Sequence, residues 1–170
     1  SLLFLLSCDG GDNNKNNNIC NDIETDSASF SFFLQNLNPN STTYSECIGP
    51  GTYPNSVRVF YFSNNENWGL CISRFGALDD LYLDYSNQND VFIIGVGANN
   101  NKSINNMVEN NTLPWIKDNS YANVWNTWSI NNRDLVFINK DGEIEYTINL
   151  TDEFDESLIN SYINNLLLND

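Results

Sequence analysis

Two runs of this chain, "SVRVFYF" (56–62) and "DVFIIGVGA" (90–98), are apolar along almost their whole length, without the polar alternation of a strand that keeps one face in water. Runs of that length, rich in β-branched and aromatic residues, predict strands buried on both faces in the middle of a sheet. Between them Cys71, Phe75, Leu78 and Leu81 or Tyr82 recur at helical spacing, which predicts an amphipathic helix over residues 68–85. A strand, a helix and a second strand in that order require an α/β domain, with helices covering a central sheet.

The remaining segments extend this unit in both directions. Upstream, "SASFSFFLQNL" from Ser27 alternates into a strand, and "NPNSTTYSECIGPGTYPN" is dense in turn residues. Downstream, "INNMVENN" reads as a weak helix, "LPW" as a bend and "YANVWNTWSI" as a short Trp-rich segment. "RDLVFINKDGEIEYTINL" predicts a hairpin closed at Asp-Gly, and "DESLINSYINNLLL" a closing helix with Leu158, Ile159, Tyr162, Ile163 and Leu166 on one face. The antiparallel hairpin makes the predicted sheet mixed. Residues 27–170 are thus expected to form one domain, preceded by an Asn-rich spacer at 9–26 that is too polar to bury a core.

The first eight residues, "SLLFLLSC", are apolar, too short to cross a bilayer and closed by a small residue and cysteine. "LLSC" resembles a bacterial lipobox, so Cys8 is the expected lipidation site and the chain an extracytoplasmic, membrane-anchored lipoprotein of the periplasm or cell surface. Composition narrows the chemistry further. With 7 Lys and Arg against 22 Asp and Glu, the formal charge is −15, which repels nucleic acid and anionic lipid headgroups. The absence of histidine removes Ser-His-Asp and Cys-His mechanisms and ordinary zinc sites. No metal or cofactor is expected, and a monomer is. What remains is carboxylate or thiol chemistry.

The thiols point to a site at "NWGLC" (67–71), between the first buried run and the helix. A cysteine at a helix mouth after a central strand is how thiol redox proteins present sulfur, because unpaired helix N–H groups stabilise thiolate there. The strand-helix-strand unit followed by a hairpin and a helix is the element order of a thioredoxin fold. "YFSNNENWGLCISRFGALDDL", "LPW…NVW" and "DLVFINKDGEIEYTINL" together resemble the N-terminal redoxin domain of selenoprotein P and its bacterial thioredoxin-like relatives. That resemblance covers the chain from about Phe30 onward. It implies a Cys-x-x-Cys or selenocysteine site in which Cys71 is the second cysteine and Trp68 stands where the attacking sulfur belongs. It also places Arg133 or Asp134 where many thioredoxins carry a cis-proline.

Cys71 falls on the face shared with Phe75 and Leu78 and is expected to be buried and weakly nucleophilic, with Arg74 as the nearest cation in sequence. Cys20 and Cys47 are candidates for a disulfide pinning the spacer to the domain; a shuttle between Cys47 and Cys71 is the competing arrangement. Trp115, Trp125 and Trp128 with Tyr121 and Arg133 are expected either to pack into the core and its rim or to line a groove for a peptide or sugar. "GVGANN" lacks the third glycine of a dinucleotide loop, "NKDGEIE" is out of register for calcium, and Asp79, Asp80 and Asp84 read as a solvated helix face. The expectation is a redoxin-like protein with a degenerate one-cysteine site acting weakly, if at all, on protein thiols or disulfides. A non-catalytic binding module on the same scaffold is the alternative.

Overall fold

The computed structural model describes residue 20, residues 32–85 and residues 89–168. Cys8 and the spacer, Cys20 excepted, lie outside the described residues. β1 (Leu34–Gln35) and β2 (Cys47–Ile48) form a short antiparallel pair. β3 (Val57–Ser63), α1 (Gly69–Tyr82) and β4 (Val91–Gly97) follow, then α2 (Asn105–Val108), β5 (Trp115–Lys117), α3 (Val124–Thr127), β6 (Asp134–Ile138), β7 (Ile144–Asn149) and α4 (Glu156–Leu168). The main sheet has the order β5, β4, β3, β6, β7. It is parallel from β5 to β3 and antiparallel from β3 through β6 to β7.

The unbroken apolar character of β3 and β4 follows from two cores. On one face Val59, Tyr61, Ile93, Leu135 and Phe137 pack under Cys71, Phe75 and Leu78 of α1 and Ile159 and Ile163 of α4. On the other, Phe60, Phe62, Ile94, Val96 and Val136 pack under Phe32, Leu34, Ile48 and Val124. Each strand residue therefore points into one core or the other. β7, at the sheet edge, alternates between exposed and partly buried positions as the "IEYTIN" pattern requires. The turn before it carries Gly142 at φ +92°, a left-handed conformation that glycine adopts without steric cost.

Four expectations change. The strand predicted from Ser27 is reduced, among the described residues, to Leu34–Gln35, and α1 stops at Tyr82 with residues 83–85 in a turn. "LPW" is not a bend alone: Trp115 opens β5, pairs opposite Gly95 and is fully buried. Gly95 makes this possible, since a Cβ there would lie 2.2 Å from the Trp115 ring. Asp79 is not a solvated residue either. Its Oδ1 accepts from the amides of Thr112 (3.0 Å) and Leu113 (2.8 Å), tying α1 to the segment before β5.

Cys20 and Cys47 are joined in a disulfide across 27 residues of sequence. Closing a loop of that length stabilises the folded chain by about 3 kcal/mol in the chain-entropy account. The segment after β1 is held by buried asparagines. Asn38 Nδ2 donates to the carbonyls of Asn111 (2.9 Å) and Leu113 (2.7 Å), and Asn36 Oδ1 accepts from the Trp115 amide (3.1 Å). These bonds satisfy backbone groups of irregular segments that have no ladder of their own.

Candidate functional site

β3 ends at Ser63 in the centre of the sheet, and the loop 64–68 turns the chain directly into α1. The Trp68 amide donates to the Asn65 carbonyl (3.2 Å), which tightens the turn. Trp68 is the N-cap of α1, with extended backbone (φ −89°, ψ 124°) and no side-chain cap. Nor does the first turn contain an acidic residue. The opening N–H groups of α1 thus have no side-chain acceptor at the cap, the condition that favours an anion or thiolate at this position.

Cys71 is a free thiol, 0% exposed, one turn inside α1 and beside Tyr61 and Phe75 in the first core. The Tyr61 hydroxyl donates to the Cys71 carbonyl (3.3 Å). Burial, reinforced by the neighbouring Cys71, pushes the Tyr61 phenol far above its ordinary value, so it remains a protonated donor.

What lies over the sulfur comes from a distant part of the chain. Arg133 immediately precedes β6, and its Nη1 is 3.8 Å from Cys71 Sγ. Its Nε donates to Thr151 Oγ1 (3.0 Å), and its guanidinium carbon sits 4.8 Å from the centre of the Trp68 ring. Arg133 is only 8% exposed, while Trp68 is 50% exposed. The backbone around Arg133 is equally fixed. Its amide donates to the Phe62 carbonyl (2.8 Å) and its carbonyl accepts from the Leu150 amide (2.9 Å), at a left-handed φ of +70°. A bulky residue held there carries strain of about 1–3 kcal/mol that the surrounding contacts must overcome. Among the described residues no cis peptide occurs and no carboxylate pairs with Arg133. Arg74, the cation nearest in sequence, instead donates its Nε–H to the Leu150 carbonyl (2.9 Å).

The stack from solvent inward is indole, guanidinium, thiol. Trp68 stands half exposed at the helix mouth, and the sulfur lies buried beneath Arg133. Thiol-disulfide exchange requires a thiolate that can reach a substrate sulfur. This arrangement places a cation beside a fully buried sulfur.

The other tryptophans do not gather around this cap. Trp115 is a core residue, edge-on to Phe75 at 4.9 Å, the first of the two arrangements expected for it. Trp125 packs edge-on against Phe62 (5.6 Å) and Trp128 against Phe32 (5.4 Å) and Phe60 (5.6 Å), covering the second core on the opposite face of the sheet from α1. Tyr121 is exposed. Two buried acids, Asp118 and Glu66, escaped the sequence reading. Asp118 accepts from the amides of Asn119 (2.8 Å), Val124 (3.0 Å) and Trp125 (3.1 Å) and so holds the start of α3. The signal was present as a short acid ahead of a helical segment.

Glu66, two residues before Trp68, is 0% exposed and lies 3.2 Å from Lys117 Nζ. The Lys117 hydrogen bonds go instead to the Asn100 carbonyl (2.8 Å), Asn100 Oδ1 (2.9 Å) and the Lys102 carbonyl (3.1 Å). The contact with Glu66 is therefore an ion pair off the hydrogen-bond direction, and neither carboxylate oxygen has a hydrogen-bond partner among the described residues. No group of acids and cysteines among the described residues is placed to hold a metal ion.

A mixed sheet flanked by helices, with a cysteine one turn into the helix that follows the central strand, is the arrangement of the thioredoxin fold, and the chain adopts it. No protein-family model matches the sequence. No curated protein matches it by sequence either. Solved structures do. A secreted Mycobacterium tuberculosis disulfide oxidoreductase homologous to E. coli DsbE superposes with a TM-score of 0.63 at 13% identity, over 83% of this chain and 100% of that one. An exposed lipoprotein thioredoxin from Streptococcus pneumoniae gives 0.64 at 14% identity, over 79% and 98%. A thioredoxin-family thiol:disulfide interchange protein from Chlorobium tepidum gives 0.62 at 9% identity, over 81% and 93%. At these identities the likeness concerns the fold.

Proposed function

We propose that this chain is an extracytoplasmic redoxin-type protein whose helix-mouth site is closed to disulfide exchange, leaving Cys71 as a buried one-cysteine remnant with weak thiol reactivity. The observation that carries this reading is the cap: Trp68 at the attacking position and Arg133 directly over a fully buried sulfur. The resemblance to the redoxin domain of selenoprotein P supports it, since cysteine or selenocysteine there stands at the place of Trp68. Native protein is expected to leave Cys71 unlabelled by a water-soluble disulfide reagent, with one thiol titrating once guanidinium unfolds the chain with its disulfide intact. Rapid labelling of Cys71 in the native protein, or reduction of insulin by the parent chain, would sink the proposal.

The 3.8 Å contact between guanidinium and sulfur favours a second reading, in which movement of Trp68 admits a small thiol reagent to a sulfur already provided with a cation. Slow labelling accelerated by Trp68→Ala would identify it.

The cellular address belongs to the same proposal. A Cys20–Cys47 disulfide suits an oxidising compartment, and the exposed lipoprotein thioredoxin of S. pneumoniae offers a precedent for this fold at a cell surface. With Cys8 lipid-modified, Cys8→Ala releases the protein from the membrane fraction of expressing cells. Retention equal to the parent's would remove the lipobox reading.

A further inference from the structure

About 16 Å along α1 from Cys71, at the other end of the helix, lies a pocket that the redoxin reading does not use. It has a volume of about 220 Å³ and is lined by Tyr82 of the last helical turn, Tyr53 and Phe92, the hydroxyl-bearing Thr43 and Thr112, and Ile93 of β4. We propose that this pocket is a binding site for a single uncharged sugar ring. It is independent of the reading of Cys71.

The pocket exists because β5 is short. β5 pairs only with Gly95–Gly97, and the Gly95 amide donates to the Pro114 carbonyl (2.9 Å). Strand alternation turns the N–H and C=O of Ile93 to that same edge, where β5 has not begun. The edge of β4 at Ile93 thereby lies beside three aromatic rings, Tyr53, Tyr82 and Phe92. Tyr53 and Phe92 lie stacked, with centroids 3.6 Å apart and planes 7° from parallel, as a flat double wall. Burial raises both Tyr53 and Tyr82 above the ordinary phenol value, so both remain neutral donors.

The walls are fixed before any ligand arrives. Asn38 braces the carbonyls of Asn111 and Leu113, and Asp79 binds the amides of Thr112 and Leu113 and the Thr112 hydroxyl (3.0 Å). Pre-formed walls spare a ligand the cost of ordering them. The chemistry of the lining selects the class. Rings suit the C–H face of a saturated ring, while the tyrosine, serine and threonine hydroxyls of the lining suit its hydroxyl groups. A wholly apolar ligand would bury those groups without partners. No charged side chain is among the described lining residues, and the chain's charge of −15 disfavours acidic sugars. The volume is below the ~300–1,000 Å³ of sites for drug-sized ligands, which restricts the occupant to about one ring.

The test is an amide-correlation NMR titration of the full chain with methyl glucoside, methyl galactoside and N-acetylglucosamine, beside phenol and tetramethylammonium as controls. At least one sugar should give saturable shifts confined to residues around Tyr82, Ile93 and Thr112. Tyr82→Phe, which keeps the ring, should weaken binding about fivefold, the worth of one hydrogen bond. Phe92→Ala should weaken it about tenfold or more through loss of the aromatic wall. Shifts that fail to saturate with every sugar, saturation by phenol or tetramethylammonium alone, or sugar binding unchanged in a folded Tyr82→Phe variant would overturn the site.

Discussion

Trp68→Cys is expected to create a disulfide reductase. The substitution installs a thiol at the N-cap of α1, where no side chain occupies the opening amides, and Cys71 waits one turn below it to resolve a mixed disulfide. The introduced thiolate attacks a substrate disulfide and releases one substrate thiol. The Cys71 sulfur then attacks the mixed disulfide, releases the second thiol and leaves a Cys-x-x-Cys disulfide that dithiothreitol reduces for the next cycle. A helix N-terminus can lower a cysteine from ~8.5 to ~7 or below, which raises the thiolate fraction at neutral pH by roughly tenfold. The fold should survive, because Trp68 is half exposed and its stacking on Arg133 is worth about 0.5–1 kcal/mol. Insulin reduction should rise from background to a rate proportional to enzyme, and non-reducing mass analysis of the resting variant should show the new cysteine bonded to Cys71. A variant that forms this disulfide but reduces no insulin would show that the docking surface, as well as the sulfur, has been lost.

Lys117→Met is expected to produce a large loss of stability. It leaves the carboxylate of Glu66 fully buried and without its cation, a defect that costs about 3–5 kcal/mol when the remaining charge is not relieved. The double variant Glu66→Gln with Lys117→Met should recover most of that loss, since an amide needs only hydrogen bonds and the unpartnered Trp115 Nε1 offers a donor close by. Urea unfolding of the parent, both single variants and the double variant gives the coupling directly. Additive single losses, with no recovery in the double variant, would show that Glu66 and Lys117 contribute separately. The surroundings of Gly97 follow the same logic, as a Cβ there would lie 2.5 Å from Glu66 Oε1.

Much of this architecture is legible in the residues. The buried strands, α1, the hairpin and α4 announce themselves because each buries its apolar positions at a period set by its own backbone, and the observed elements differ from the expected ones by a few residues at their ends. β5 is not legible. Its three residues are too few for periodicity, and Trp115 reads as a strand residue only once Gly95 is known to stand opposite it. Asp79 misleads for a related reason: nothing in sequence tells a solvated carboxylate from one that receives amides of another segment.

The helix-mouth site divides along the same line. From the sequence alone it follows that histidine chemistry is impossible, that one cysteine sits at the entrance of a helix after a central strand, and that the position three residues earlier holds an indole. These are matters of residue identity and short-range spacing, which an α-helix translates directly into geometry. That Arg133, and not Arg74, lies over the sulfur was decided by the antiparallel return of β6 beside β3, which brings residues 62 positions apart to within 3.8 Å. Tertiary structure likewise placed Trp115 in the core and the other two tryptophans on the far face of the sheet. Such contacts depend on which strands become neighbours, and that is settled by how two faces of one sheet are covered at once, a property of the whole chain that no local pattern of residues encodes.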